Sequence, residues 1–212
     1  MRQVNRQAQN FSQDDYDEPS GQFSVMAEPL VVYGYKININ RPILGAWQFE
    51  GAVEVLQRAT EDDGVLINLQ TPGGSVDATD MLVQAMADCP AHIHTKASGG
   101  VCSAGTVILL NSDSFELSKN FYALIHNGST GSVGKYSDYA AEVVFSTKHH
   151  ENFIRNSYEG FLTEEEIDAL LKGKDFWMEG KEFGSRYEAR QAFLVQKHGC
   201  NNCNTDEKVV DE

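Results

Sequence analysis

Three times between residues 29 and 110 a run suited to a strand gives way to a turn and then to a helical stretch, and this alternation is the strongest constraint on the fold. Pro29 to Ile39 alternates as a strand, and Trp47 to Thr60 carries apolar residues at Trp47, Val53, Val55, Leu56 and Ala59, the spacing of an amphipathic helix. Val65 to Leu69 is a short apolar strand; Gln70-Thr71-Pro72-Gly73-Gly74-Ser75 closes it, and a helix follows from about Asp77 to Asp88, before Pro90. Ala91 to Ala97 alternates again, and Gly99-Gly100-Val101-Cys102-Ser103-Ala104-Gly105-Thr106 leads into the apolar Val107 to Leu110. Consecutive strands joined by helices imply parallel pairing with crossover connections, so the fold class is α/β. Both small-residue turns follow strands and precede helices, and loops of that kind gather at the carboxyl ends of parallel strands, where open α/β sheets place their sites.

Downstream, Phe115 to Ser118 and Phe121 to His126 read as two further strands, and Ser137 to about Tyr158 as a long helix. Thr163 with Glu166 three residues later is a capping box opening another helix. Asp175-Phe176-Trp177-Met178 is a short apolar element, and Lys181 to Gln196 a final helix. A chain of 212 residues suits one domain with appendages. The polar segment 1–24 reads as a flexible arm, 25–197 as the folded domain, and 198–212 as an acidic tail.

The net charge of −14, with no basic cluster longer than a dipeptide, argues against nucleic acid or an anionic membrane as partner. No secretory signal is visible, and the longest apolar stretch, Val101 to Leu110, is too short to span a bilayer, so a cytoplasmic location is expected. Four cysteines fit a reducing compartment; Cys89 and Cys102 read as buried thiols. His198 with Cys200 and Cys203 holds three potential zinc ligands, but no second half-site accompanies them, and a plain tail is the simpler reading.

A serine among small residues at the start of a helix is a natural place for a nucleophile, because its hydroxyl is approachable and the helix N-terminus favours a developing anion. Ser103 is that serine. His126, at the end of an apolar strand, is the candidate base, and Asp175, beside Phe176 and Trp177, a semi-buried carboxylate able to hold an imidazole in one tautomer. The Pro72-Gly73-Gly74 turn offers backbone N–H groups without side chains over them, as an oxyanion hole requires and as any tight turn also provides. His92 and His94 share one face of a strand, read as solvated rather than metal-binding, and His149 and His150 read as exposed helix residues.

Four ordered segments resemble the proteolytic subunit of the Clp protease and, more broadly, the ClpP/crotonase fold: Ile67 to Val76 with its Pro-Gly-Gly turn, Ala97 to Thr106 with Ser103 at the serine position, Ala123 to His126, and Lys174 to Met178 followed by Glu182. The similarity covers about residues 29–195. Serine, histidine and acid come in that order, with 23 residues from Ser103 to His126 and 49 from His126 to Asp175. α/β-hydrolases and chymotrypsin-like enzymes use other orders.

The resemblance implies an α/β fold of repeated strand–helix units with a protruding strand and helix handle. It implies Ser103 as nucleophile, His126 as base then acid, Asp175 as orienting acid, and backbone N–H groups of Gly73 or Gly74 and of Ala104 as oxyanion donors. It implies no metal and no cofactor, protein or peptide substrates, and a homo-oligomer built of heptameric rings, single or stacked. It also implies a separate ATP-driven unfoldase of the AAA+ kind, since this chain has no phosphate-binding loop of its own. The departures are Ala104 where the family has Met, Asn127-Gly128 where it commonly has Gln-Pro, and Gly173-Lys174 where an Asp-Arg pair typically links neighbouring subunits. Two rival readings share the fold: a crotonase-type acyl-CoA enzyme, and a catalytically silent ClpP-like subunit.

Overall fold

The computed structural model describes residues 32–131 and 135–198. Strand β1 (Gly34–Ile39) leads through a single 3-10 turn (Ala46–Gln48) into α1 (Glu50–Arg58); β2 (Gly64–Thr71) is followed by α2 (Val76–Ala87), and β3 (His92–Cys102) by α3 (Ala104–Leu110). Then come β4 (Ser114–Leu117), β5 (Tyr122–Ile125), α4 (Tyr136–Ser157), α5 (Glu164–Leu171), β6 (Phe176–Glu179) and α6 (Gly180–His198). The six strands form one sheet in the order β1-β2-β3-β5-β6, with β4 also beside β3. Every pairing is parallel except β5 with β6. The repeated strand–helix units are therefore as the sequence predicts, and the antiparallel β6 completes the α/β sheet.

Alternation along the strands makes the core. In β2, Val65, Ile67 and Leu69 are buried and meet Ile93 and Ala97 of β3, Leu56 of α1 and Leu82 and Met86 of α2 in one continuous apolar cluster. Helix α3, apolar but for Thr106, is buried along its whole length, because it runs through the interior rather than over it. At the other end of the domain Phe183 of α6 packs against Phe115, Phe121 and Phe161, with ring centroids 4.9–6.0 Å apart.

The long strand β3 serves two partners in turn. Its residues His94 to Ala97 pair with β4 and Gly100 to Cys102 with β5. Between them the register against β2 slips, Leu69 facing Ala97 but Thr71 facing Val101. Gly99, at φ 60°, makes this bulge in a left-handed conformation open to glycine. The glycines that read as a turn before Ser103 thus lie inside the strand, and the turn itself is Ser103 alone.

Other boundaries also move. The first predicted helix begins at Glu50 rather than Trp47, because the Gln48 side chain accepts the N–H groups of Leu44 and Gly45 and folds that stretch into the 3-10 turn, leaving Trp47 exposed. The predicted capping box is present: Thr163 Oγ1 accepts the Glu166 N–H, and the Glu166 carboxylate accepts the Thr163 N–H. Helix α5 ends with Gly173 at φ 97°, the left-handed residue of a helix terminus, with its N–H on the Leu170 carbonyl. The amino-terminal arm predicted for 1–24, Cys200, Cys203 and the side chain of His198 all lie outside the described residues.

Candidate active site

Parallel pairing sets the carboxyl ends of β3 and β5 side by side. Cys102 is the last residue of β3 and faces Leu124, so Ser103 leaves one strand beside the end of the other, and its N–H donates to the Leu124 carbonyl at 2.7 Å. His126 immediately follows β5 and is half-buried. On the far side β5 runs antiparallel to β6, with Ile125 opposite Phe176 as the terminal pair. The residues that continue those two strands are His126 and Asp175. The topology therefore gathers all three sequence-predicted residues at one end of three adjacent strands.

Ser103 is unusual in its own backbone. At φ 55° it is the only non-glycine with a positive φ among the described residues, a conformation that costs a β-carbon-bearing residue on the order of 1–3 kcal/mol. Its surroundings hold it there. Its carbonyl accepts the Thr106 N–H at 2.9 Å and the Thr106 hydroxyl at 2.7 Å. Because that hydroxyl proton is taken, Tyr158 donates its own hydroxyl to Thr106 Oγ1, also at 2.7 Å. Burial pushes the Tyr158 phenol up to about 12, against the opposing effect of the Thr106 bond, so it remains a donor at any working pH. Neither Thr106 nor Tyr158 was singled out in the sequence, and 52 residues separate them.

The Pro-Gly-Gly turn abuts the serine. A β-carbon placed on Gly73, at φ 90°, would lie 2.6 Å from Ser103 Cβ, 2.6 Å from the Cys102 carbonyl oxygen and 3.0 Å from the Ala104 nitrogen. Gly74 turns the other way: its β-carbon would fall 1.9 Å from the Ile43 carbonyl oxygen, where Ile43 bridges the turn by accepting the Ser75 N–H and donating to the Gly73 carbonyl. Only bare backbone fits at either position. The Gly73 N–H is engaged with Thr71 Oγ1 at 3.1 Å, while the Ala104 N–H opens α3 and, as a first-turn donor, has no intrahelical acceptor.

Among the described residues no side-chain hydrogen bond joins Ser103 to His126 or His126 to Asp175. Asp175 is exposed rather than semi-buried, because it precedes the outermost strand of the sheet and only one side of β6 is paired. Cys102 is half-buried, as is Cys89, and burial pushes the Cys102 thiol up. His92 Nε2 and His94 Nδ1 each lie 2.8 Å from Ser114 Oγ, an ordinary polar cluster on the sheet face. No group of three or more His, Cys, Asp or Glu side chains among the described residues is placed to hold a metal ion. His149 is exposed and stacks on Phe145, but His150 is half-buried against Asn127 and Gly128, contrary to the reading of both as exposed. Adjacent helix residues point about 100° apart, and only the tertiary fold decides which of the two meets a neighbour.

A strained serine at a strand–helix junction, a glycine turn against it, and a histidine and a carboxylate at the neighbouring strand ends thus lie together at one edge of the α/β sheet. The Clp protease family model matches residues 47–185, which include the Gly73-Gly74 turn, Ser103, His126 and Asp175, and the chain belongs to that family. No curated protein matches the chain.

Proposed function

We propose that this chain is a serine peptidase of the Clp type acting through Ser103, His126 and Asp175. The observation that carries the reading is the backbone of Ser103: a left-handed serine held by Thr106 and Tyr158, with Gly73 kept bare beside it. Ser103 Oγ attacks the scissile carbonyl carbon. His126 takes the hydroxyl proton and passes it to the departing amine, and Asp175 holds the ring in the tautomer that leaves the accepting nitrogen toward the serine. The carbonyl oxygen becomes an oxyanion held by the N–H groups of Ala104 and of the Gly73-Gly74 turn. Gly73, the nearer of the two, gives up a neutral hydroxyl acceptor for a charged one, which is the stronger hydrogen bond. Long or unformed contacts among the three side chains are usual before a substrate tightens them.

The site operates within an oligomer, a heptameric ring or a double ring, supplied with unfolded protein by a separate AAA+ unfoldase. Helix α4 supports assembly, since it leaves Val144 73% and Phe145 71% exposed, with Tyr139 and Val143 exposed beside them. No helix among the described residues is long and apolar enough to cross a membrane.

A fluorophosphonate probe is expected to label Ser103, and Ser103→Ala to abolish labelling while leaving the fold intact. Labelling that persists in that variant refutes the assignment of Ser103, and none on a folded wild type refutes the peptidase reading and favours a silent subunit. A sizing measurement on the same protein reports the oligomer.

A further inference from the structure

The two residues after His126 depart from the family's Gln-Pro, and the structure gives both of them a common partner. Asn127 donates its side-chain Nδ2 to the Leu171 carbonyl at the end of α5, at 3.1 Å. That bond fixes the orientation of the amide, so Oδ1 faces the other way, toward His150 Nε2 at 2.9 Å. The Gly128 N–H points at the same nitrogen, 3.3 Å away. One ring nitrogen cannot donate to Asn127 and accept from Gly128 at once. The ring therefore secures the segment by its side chain in one tautomer and by its backbone in the other.

Gly128 is matched to this arrangement. A β-carbon there would stand 2.9 Å from His150 Cε1, and a proline would have no N–H to give. His150 is also near enough to His126 for their charges to interact. Burial first, then the charges of His126 and His149, hold its imidazole below the ordinary value, so the neutral ring with a free tautomer choice is the favoured form.

We propose that His150 is a positioning residue for the base: through its grip on Asn127 and Gly128, α4 fixes the chain next to His126 and so sets where the imidazole stands relative to Ser103. The inference rests on the reading of His126 as the base. It needs no contact between His150 and the substrate. An error of about 1 Å in the placement of a catalytic group costs up to roughly 100-fold in rate, so a side chain that only anchors the neighbouring loop has a measurable role.

The test uses the full chain with His150→Ala, His150→Gln, Asn127→Ala and the Asn127→Ala/His150→Ala pair, each checked for folding by circular dichroism. Glutamine retains an N–H able to reach Asn127 Oδ1. Fluorophosphonate labelling of Ser103 is expected to slow about 10- to 100-fold in His150→Ala. It is expected to return to within about threefold of wild type in His150→Gln and to fall no further in the pair than in its worse single member. The ring NMR signals of His126 are followed in parallel. They are expected to shift in His150→Ala and to return in His150→Gln. Unchanged labelling in folded His150→Ala overturns the proposal, and so does equal slowing in the alanine and glutamine variants. If the wild type itself is not labelled, the serine peptidase reading fails. The His126 signals then decide the positioning role alone, and signals unmoved by His150→Ala overturn it.

Discussion

Replacing Gly73 with alanine tests the architecture at its tightest point. The new methyl meets two obstacles, a backbone at φ 90° and contacts of 2.6 Å with both the Cys102 carbonyl oxygen and Ser103 Cβ. The left-handed backbone costs a residue with a β-carbon about 1–2 kcal/mol. Relieving the overpacking costs a further ~1–3 kcal/mol. The sum, about 2–5 kcal/mol, is smaller than the 5–15 kcal/mol typical of a folded domain, so the variant is expected to fold. At roughly 2–4 °C per kcal/mol for a domain of this size, its melting temperature falls by about 4–20 °C.

The loss of chemistry exceeds the loss of stability. The contacts are relieved by moving either the turn or the serine, and each separates the oxyanion donors from the attacking hydroxyl. Losing one such donor costs about 100- to 1,000-fold in rate. The assay is the rate of fluorophosphonate labelling, measured well below the variant's own melting temperature. Gly51→Ala is the control: beyond its chain neighbours and its own helix backbone no atom lies within 4 Å of the added methyl, and as a helix residue of α1 it is expected to stabilise by up to about 1 kcal/mol with labelling unchanged. Labelling of folded Gly73→Ala within threefold of wild type would refute the placement of this turn in the active site.

Three further outcomes follow from the packing. Tyr158→Phe removes the donor behind Thr106, is expected to lower stability by about 1 kcal/mol in thermal or urea unfolding, and slows labelling through the loosened Ser103 carbonyl. Arg190→Met deletes the buried guanidinium that donates to the Leu110 carbonyl at 2.6 Å and to the Glu159 carbonyl at 3.2 Å; unfolding should show a loss of about 1–3 kcal/mol, the cost of leaving a buried acceptor unsatisfied. Glu166 is held below its ordinary value of 4.5 mainly by its two hydrogen bonds from Arg186, at 2.8 and 2.9 Å. With a folded-state value lower than the unfolded one, the pair contributes its stability in full above about pH 4.5 and loses it as pH falls further; Arg186→Gln should flatten that part of the stability profile.

How far the sequence carries depends on the range of the interaction that settles each feature. Strands β2 and β3 and helices α2 and α3 follow from local periodicity and turn residues, and the Thr163 cap from two residues three apart. Ser103, His126 and Asp175 were placed by ordered motifs, and strand pairing brings them to one edge of the sheet. The rest depends on contacts that no window spans. Thr106 looks like an ordinary helix residue until Tyr158 arrives from the end of α4. Gly99 reads equally as a turn or a bulge, and only the split pairing of β3 with β4 and β5 decides. His150 differs from His149 only in helical phase, and Asp175 looks semi-buried beside its aromatic neighbours because their exposure depends on which edge of the sheet they occupy.

The left-handed backbone of Ser103 also bears on what selection has acted upon. Glycine would fit that conformation without penalty, so Ser103→Gly is expected to raise stability by about 1 kcal/mol while ending any acyl transfer. A subunit kept only as a building block gains from that exchange and is free to drift into it, since most routes to greater stability stay open unless function forbids them. This chain carries the less comfortable residue, together with the threonine and tyrosine that steady it. Under the proposed peptidase reading, that strain is the cost of keeping a hydroxyl at the strand–helix junction.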